Sequence, residues 1–332
     1  MLRVTVLEEG GHIAEIFDKR AGISPLWIPR WKSIEPSTFG PNHYAAFGSG
    51  ADAKLLAGIM GHNLCLDIFG GPSPEEAAAG LTAHGEASVD RYEVVASNHK
   101  LTTTLTMHLA QLELSRSIEL CGQDIHVIES VTNLTGIDRP IGWTQHVTLG
   151  PPLLDPATTE FSASMTRSVV AEFDPGFHAY LAPGREFEWP IALRPDGTFA
   201  DLQKMNSAAP ASQYTAHVAD PDREDAFFVA YSPAYRLAFG YIWKRNDFPW
   251  MGIWEENCSR PHAPWSSREV TRGMEFGVSP FPETRREMVA RGALLDTPTY
   301  RWIPAKTTLK AEYWISSRVT DQVPELLTWP AS

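Results

Sequence analysis

The sequence predicts an all-β protein built from large antiparallel sheets. Apolar and polar residues alternate with a period of two over many short segments, as in Leu101, Thr103, Leu105, Met107 and Leu109 with their polar partners. Clusters of Gly, Pro and Asp interrupt these segments at short intervals, the punctuation expected of strands joined by turns. No stretch carries a convincing long amphipathic helix, and no repeat of fixed period or low-complexity tract is present.

Taken in order, Arg3–Leu7 and His12–Phe17 read as strands joined at Gly10-Gly11 and closed by a turn over Asp18–Gly22. Residues 24–50, rich in Pro, Gly, Trp and Phe, lack a helical period and are expected to form a long loop over a sheet edge. Gly61–Phe69 leads into Gly70-Gly-Pro-Ser-Pro74, whose glycines and prolines dictate a loop, followed by a short helical piece at Glu75–Ala79. From Tyr92 to Asn133 the pattern is a meander. Leu112–Leu120 and Ile125–Thr132 are linked by a hairpin turn at Gly122-Gln-Asp124. A turn about Asp138-Arg139-Pro140 precedes the strand Trp143–Leu149, which Gly150-Pro151-Pro152 ends abruptly. Residues 201–225 are polar and Pro-rich and suggest a surface excursion. Ala226–Tyr231 and Leu237–Lys244 form a hairpin about Ser232-Pro233, and Thr299–Ile303 with Thr307–Ile315 suggests a closing hairpin. The expected organisation is one domain over residues 1–321, with residues 322–332 as a tail.

Composition narrows the function. The formal charge of −12 over 332 residues argues against a nucleic-acid partner, which needs a basic surface. No Lys/Arg run points to an acidic membrane surface, and no apolar run approaches the ~20 residues that span a bilayer. Cys65, Cys121 and Cys258 are odd in number and widely spaced, which suggests neither a disulfide framework nor a zinc ribbon. The amino terminus reaches acidic residues too early for a signal peptide, so a cytoplasmic location is expected. The 11 Trp, 15 Phe and 9 Tyr are a rich aromatic supply, suited to a sheet core and to stacking on sugar C–H faces.

Three stretches carry candidate chemistry. In Trp143–Leu149, the apolar pair Val147 and Leu149 belongs to the core, which aims His146 at the opposite face. A half-exposed strand histidine with no task is the plain alternative. In Phe248–Cys258, Met251 and Ile253 would face the core, leaving Trp250, Trp254 and Glu256 on the other side with Asn257 nearby. That face reads as a ligand cleft, unless both indoles pack beneath a loop. In Arg272–Pro282, Met274, Phe276 and Val278 share the core face, so Glu275 points away from it with Gly277 beside it. A carboxyl alone among apolar neighbours is poised for raised proton affinity; otherwise it is an ordinary outward glutamate. His84, on a loop before Gly85, is a further candidate.

The order of these pieces resembles the galactose mutarotase-like (aldose 1-epimerase) superfamily over most of the chain. The resemblance rests on Gly10-Gly11-His12-Ile13-Ala14, Ala83-His84-Gly85, Val131-Thr-Asn133-Leu followed by His146, Gly273-Met-Glu275, and the final Pro304-Ala-Lys-Thr…Tyr313-Trp segment. It implies a large antiparallel β-supersandwich with His84, His146 and Glu275 as the site, and an isomerase that opens and closes a sugar ring without cofactor or metal. Glu275 would serve as base and His146 as acid, with His84 holding a hydroxyl or assisting protonation. Phe69 stands before Gly70-Gly71 where members commonly have an arginine, and Ala87-Ser88 follows where the sugar-phosphate branch tends to have one. The expected small-molecule carbohydrate is therefore uncharged. The family's sugar-binding aspartate is left open among Asp196, Asp201 and Asp225. The rival reading is a non-catalytic sugar-binding or sensing protein using Trp250, Trp254 and Glu256. A metal-dependent cupin-like sandwich is disfavoured because its closely spaced histidines are missing.

Overall fold

The computed structural model describes residues 2–173 and 178–323. The expected tail at 322–332 lies, from residue 324 onward, outside the described residues. Among the described residues two large antiparallel sheets dominate. The ten-stranded sheet runs Leu2–Val6, Ile13–Asp18, His62–Asp67, Arg139–Leu149, Val270–Gly277, Trp250–Asn257, Ala211–Ala219, Met165–Val170 and Glu186–Glu188, with Arg301–Ile303 pairing onto Arg139–Leu149. The eight-stranded sheet runs Glu93–Ala96, Lys100–Met107, Leu112–Cys121, Asp124–Asn133, Thr308–Val319, Leu237–Lys244, Asp225–Ser232 and Glu160–Ala163. The all-β expectation holds.

The two sheets share one apolar core. The period-two pattern decides what enters it: Trp143, Val147 and Leu149 from one strand, Met274 and Phe276 from its neighbour, and Met251 and Ile253 from the next. They meet Leu114, Val127, Phe239, Trp243 and Tyr313 of the other sheet. Trp243 stacks on Phe276 with ring centroids 4.2 Å apart and planes 11° apart.

Within this core lies a polar cluster closed to solvent. Arg116 Nε donates to Glu129 Oε1 at 2.7 Å, and both side chains are buried. Trp143 Nε1 and Gln145 Nε2 donate to the other carboxylate oxygen at 2.8 and 2.7 Å. Gln145 Oε1 accepts from the Tyr313 hydroxyl and lies 3.0 Å from His62 Nε2. A carboxylate so deep in the core persists because a guanidinium and two further donors compensate it.

Three readings of the chain are corrected. Residues 201–225 are not only a surface excursion: Ala211–Ala219 is a buried strand of the large sheet. Its alternation is masked because Ser212, Gln213, Thr215 and His217 are buried polar groups with hydrogen-bonding or packed partners inside the fold. The expected closing hairpin does not form either. Arg301–Ile303 pairs with Arg139–Leu149, whereas Thr308–Val319 crosses to pair with Asp124–Asn133 and Leu237–Lys244 in the other sheet. Arg139-Pro140 opens a strand rather than a turn, with Pro140 at the edge opposite Trp302.

Removing one partner of the buried pair is expected to be costly. Glu129→Gln leaves Arg116 without its counter-charge and should destabilise the fold by about 3–5 kcal/mol. Denaturant unfolding would show this as a lower midpoint with an unchanged slope.

Candidate active site

The opposite face of the large sheet from the core carries the site. Arg139–Leu149 and Val270–Gly277 are antiparallel neighbours in a register that sets Glu275 directly across from His146. His146 Nε2 lies 3.1 Å from Glu275 Oε1, with side chains only 8% and 2% exposed. Cross-strand neighbours of this kind are held by the ladder itself, so the pair needs no loop to bring it together.

Space for the carboxyl comes from two glycines. A Cβ on Gly273 would stand 2.3 Å from Glu275 Oε1. One on Gly252, across from Glu275 on the strand Trp250–Asn257, would stand 2.1 Å from the Tyr214 hydroxyl. Tyr214 thus lies over Gly252, with its single hydroxyl proton placed between the Glu275 carboxyl and the Pro280 carbonyl, the latter 3.2 Å away. Gly277, expected to open space beside Glu275, instead abuts Thr144.

His84 arrives from the loop after Gly70-Gly71. Its backbone is in the left-handed region (φ 65°) and is tied at both ends: His84 N–H donates to the Gly70 carbonyl and its own carbonyl accepts from Leu66 N–H. Its ring centroid sits 4.9 Å from that of His146. Gly85 must be glycine, because φ is +79° and a Cβ would press on the Leu66 carbonyl at 2.1 Å. The start of the Gly70-Gly71 loop is clamped by buried Asp67, which accepts from Arg139 at 2.9 Å and from Arg285 at 2.8 and 2.7 Å.

A cavity of about 250 Å³ opens over these groups. Its walls include Trp27, Trp254 and Trp265, with Trp27 stacked on Trp265 at 6.0 Å and Trp254 meeting Trp265 edge-on. Leu55, Leu56 and Ile59, from or just after the helix Ala53–Gly58, add an aliphatic wall. Asp52 and Arg260 supply charge. The Arg260 guanidinium lies 4.7 Å from the Trp265 ring and 5.2 Å from the Trp254 ring, and its Nε is 3.3 Å from Glu256 Oε2.

The sequence candidates divide. His84, His146, Glu275 and Trp254 all line this cavity. Trp250, expected there, is fully buried and its indole N–H donates to the Pro298 carbonyl at 2.7 Å. Glu256 is consumed by the following turn, accepting from Ser259 N–H and Oγ–H and from Arg260 N–H. Asn257 donates to the Asn206 carbonyl at 3.0 Å. These three are therefore assigned to structure. Tyr214, Trp27, Trp265, Asp52 and Arg260 escaped the sequence reading, since neither their spacing nor their neighbours mark them. Asp196, Asp201 and Asp225 do not line the cavity, so its aspartate is Asp52. Among the described residues no three His, Cys, Asp or Glu side chains are grouped to hold a metal ion, and no helix is long and apolar enough to cross a membrane.

Burial sets the proton balance. It pushes the Glu275 carboxyl up from its ordinary 4.5 to about 8, against the opposing hydrogen bond from Tyr214. It holds His146 down from 6.5 to about 4, and His84 well below its ordinary value. The pair therefore carries one proton and no net charge over the neutral range.

No protein-family model matches the chain. No curated protein matches it in sequence. Solved structures do match in shape. A galactose mutarotase related enzyme from Lactobacillus acidophilus is 14% identical over 98% of this chain and 97% of its own, with a TM-score of 0.60. A GalM/aldose epimerase homologue from C. elegans is 10% identical over 96% of each chain, with a TM-score of 0.59. A galactose mutarotase-like protein from Clostridium acetobutylicum is 10% identical over 96% of this chain and 93% of its own, also at 0.59. What the chain shares with them is the fold, the galactose mutarotase-like β-supersandwich, and the resemblance read from the sequence holds at that level.

The raised carboxyl makes stability pH-dependent with a definite sign. Folded Glu275 keeps its proton to about 8 and the unfolded chain releases it near 4.5, so its contribution is complete below about 4.5 and lost as pH rises through about 8. Glu275→Gln removes this titration. Thermal melts of the two proteins should show the variant gaining on wild type from about pH 5 to pH 8 and levelling off above.

Proposed function

We propose that the chain is an aldose 1-epimerase-like isomerase, acting on an uncharged sugar by acid/base opening and closing of its ring. The observation that carries this reading is the His146–Glu275 pair, 3.1 Å apart and buried beneath an indole-walled cavity. At about 250 Å³ the cavity is just smaller than typical ligand pockets of ~300–1,000 Å³, a size suited to a single sugar ring. Indole faces suit the C–H face of such a ring, and His84 and Asp52 are placed to meet hydroxyls.

Ring opening removes the proton from the anomeric hydroxyl and delivers one to the ring oxygen. A pair that holds a single proton can do both, one member accepting as the other donates. With the proton on Glu275, as burial favours, the carboxyl serves the ring oxygen and His146 accepts from the anomeric oxygen. With the proton on His146, the roles are those the family resemblance implies. After the aldehyde turns over, closure runs the same two transfers backwards and restores the starting state. The two shifted proton affinities supply a protonated carboxyl and a neutral imidazole together, which is what general acid/base catalysis near neutral pH needs. A purely binding protein has less use for them, since an amide would hold hydroxyls at lower desolvation cost.

Replacing Glu275 by Gln preserves size and hydrogen bonding but ends proton exchange. Turnover should fall by roughly 10²–10⁴-fold while sugar affinity changes modestly. Polarimetry or NMR of anomer interconversion over a panel of neutral aldoses, with calorimetric binding alongside, reads both. A wild type that binds sugar but never exceeds the uncatalysed rate would make it a binder.

Charge at the cavity favours a neutral substrate. Arg260, the cavity's arginine, already faces the Glu256 carboxylate, and the Glu275–His146 pair is neutral. Sugar phosphates should therefore bind no more tightly than their parent sugars in calorimetric titrations. Clearly tighter phosphate binding would contradict this part of the reading.

A further inference from the structure

The Gly10-Gly11-His12 turn and the loop at Ser88 are linked to the site by a run of hydrogen bonds whose directions are all forced. Met60 N–H can only donate, and it meets His12 Nδ1 at 3.4 Å. His12 Nδ1 is therefore an acceptor, so its proton is on Nε2, which donates to the Ser88 carbonyl at 2.9 Å. Gly10 permits this approach: its φ is +75°, and a Cβ would stand 2.5 Å from that same carbonyl oxygen and 2.6 Å from His12 Nε2. Ser88 is thus pinned through its backbone, and it is wholly buried.

The Ser88 hydroxyl lies 2.6 Å from the Leu64 carbonyl oxygen, a contact that requires its single proton to point there. Its oxygen can then only accept from Asn63, 3.2 Å away. That settles the orientation of the buried Asn63 amide: the group facing Ser88 must be NH₂. The same nitrogen is 3.1 Å from His84 Nδ1, so it donates its second proton to that ring. Neutral His84 with Nδ1 accepting must carry its proton on Nε2, the nitrogen left for the cavity.

We infer that Asn63 and Ser88 are positioning residues that lock His84 as its Nε2–H tautomer, so that it offers the cavity a hydrogen-bond donor and never an acceptor. Asn63 is well placed for the task, lying opposite His146 on the neighbouring strand His62–Asp67 and on the same face. His84 would therefore donate to a lone pair on the ligand, such as a ring or hydroxyl oxygen, and would take no part as a base. The consequence for turnover rests on the reading proposed above; the tautomer itself does not.

Long-range ¹H–¹⁵N correlation spectra of the ¹⁵N-labelled wild-type protein test this, with His84 assigned from the signal lost in His84→Gln. The expected pattern for His84 is a protonated Nε2 and a bare Nδ1; a protonated Nδ1 overturns the inference. Asn63→Asp replaces the donor by a carboxylate, which should pull the proton to Nδ1 and lower kcat on the order of 10²-fold with little change in KM, as for loss of one oriented donor. Ser88→Ala is the milder variant, useful if the buried aspartate prevents folding. Without the hydroxyl the Asn63 amide can turn, and both tautomers should appear. A folded Ser88→Ala or Asn63→Asp protein that keeps the wild-type pattern refutes the positioning role. If the wild-type spectrum is as expected but no sugar is turned over, the catalytic reading fails and the donor assignment stands.

Discussion

The site depends on a cross-strand pair placed where a sheet face is almost dry. A carboxyl at that depth is tolerated only in its neutral form or beside a proton donor, and the ladder supplies an imidazole directly opposite it. Much around the pair follows from this placement. Gly252 and Gly273 leave the volume that the carboxyl and the Tyr214 ring occupy. Tyr214 reaches across a strand to Glu275, and the indoles of Trp254 and Trp265 keep the surroundings apolar enough to hold both proton affinities away from their ordinary values. Chemistry that exchanges protons near neutral pH benefits from this arrangement, because burial keeps Glu275 protonated and His146 neutral, an acid and a base side by side.

Rigidity comes from the other face of the same strands. Gln145 precedes His146 and His62 precedes Asn63, and both precursors point into the core, where they contact each other at 3.0 Å. Gln145 is fixed in turn by Glu129 and Tyr313 of the second sheet. The alternation of a strand thus gives each site residue a neighbour anchored between the sheets, and a rotation of the site strands would break buried charge-assisted bonds. The loop bearing His84 lacks such a strand. It is held instead by the Asp67 clamp at its start, by backbone bonds to Gly70 and Leu66, and by the directed chain through Asn63, Ser88 and His12.

The face to which a residue belongs was legible in the sequence. Period-two alternation placed Val147, Leu149, Met274 and Phe276 in the core and so turned His146 and Glu275 to the same outer side, because a strand offers only two directions. Gly85 and the Gly70-Gly71 loop announced backbone constraints for the same local reason. Sequence alternation failed where buried polar residues imitate solvent-facing ones: Ala211–Ala219 looked like surface because its polar side chains have partners contributed by distant segments. For Trp250 and Glu256 it gave the side, with Asn257 nearby, but not what lies over that side. What covers that face at either end, Pro298 over Trp250 and the Ser259 turn over Glu256, is decided by other parts of the chain.

Tertiary structure alone decided the register and the company. Strand alternation fixes a side but not a partner, so nothing local made Arg139–Leu149 and Val270–Gly277 neighbours or set Glu275 opposite His146 rather than two residues along. Nor did any local signal bring Trp27, Trp265, Asp52 and Arg260 to one cavity, since each is delivered by a loop or short helix whose path follows from what it packs against. The sequence by itself determined which residues could be functional and the sheet face they occupy, because those follow from backbone geometry within a few residues. The pairing of proton donor with proton acceptor, and the burial that tunes them, depends on contacts between segments far apart in the chain, and these exist only in the folded protein.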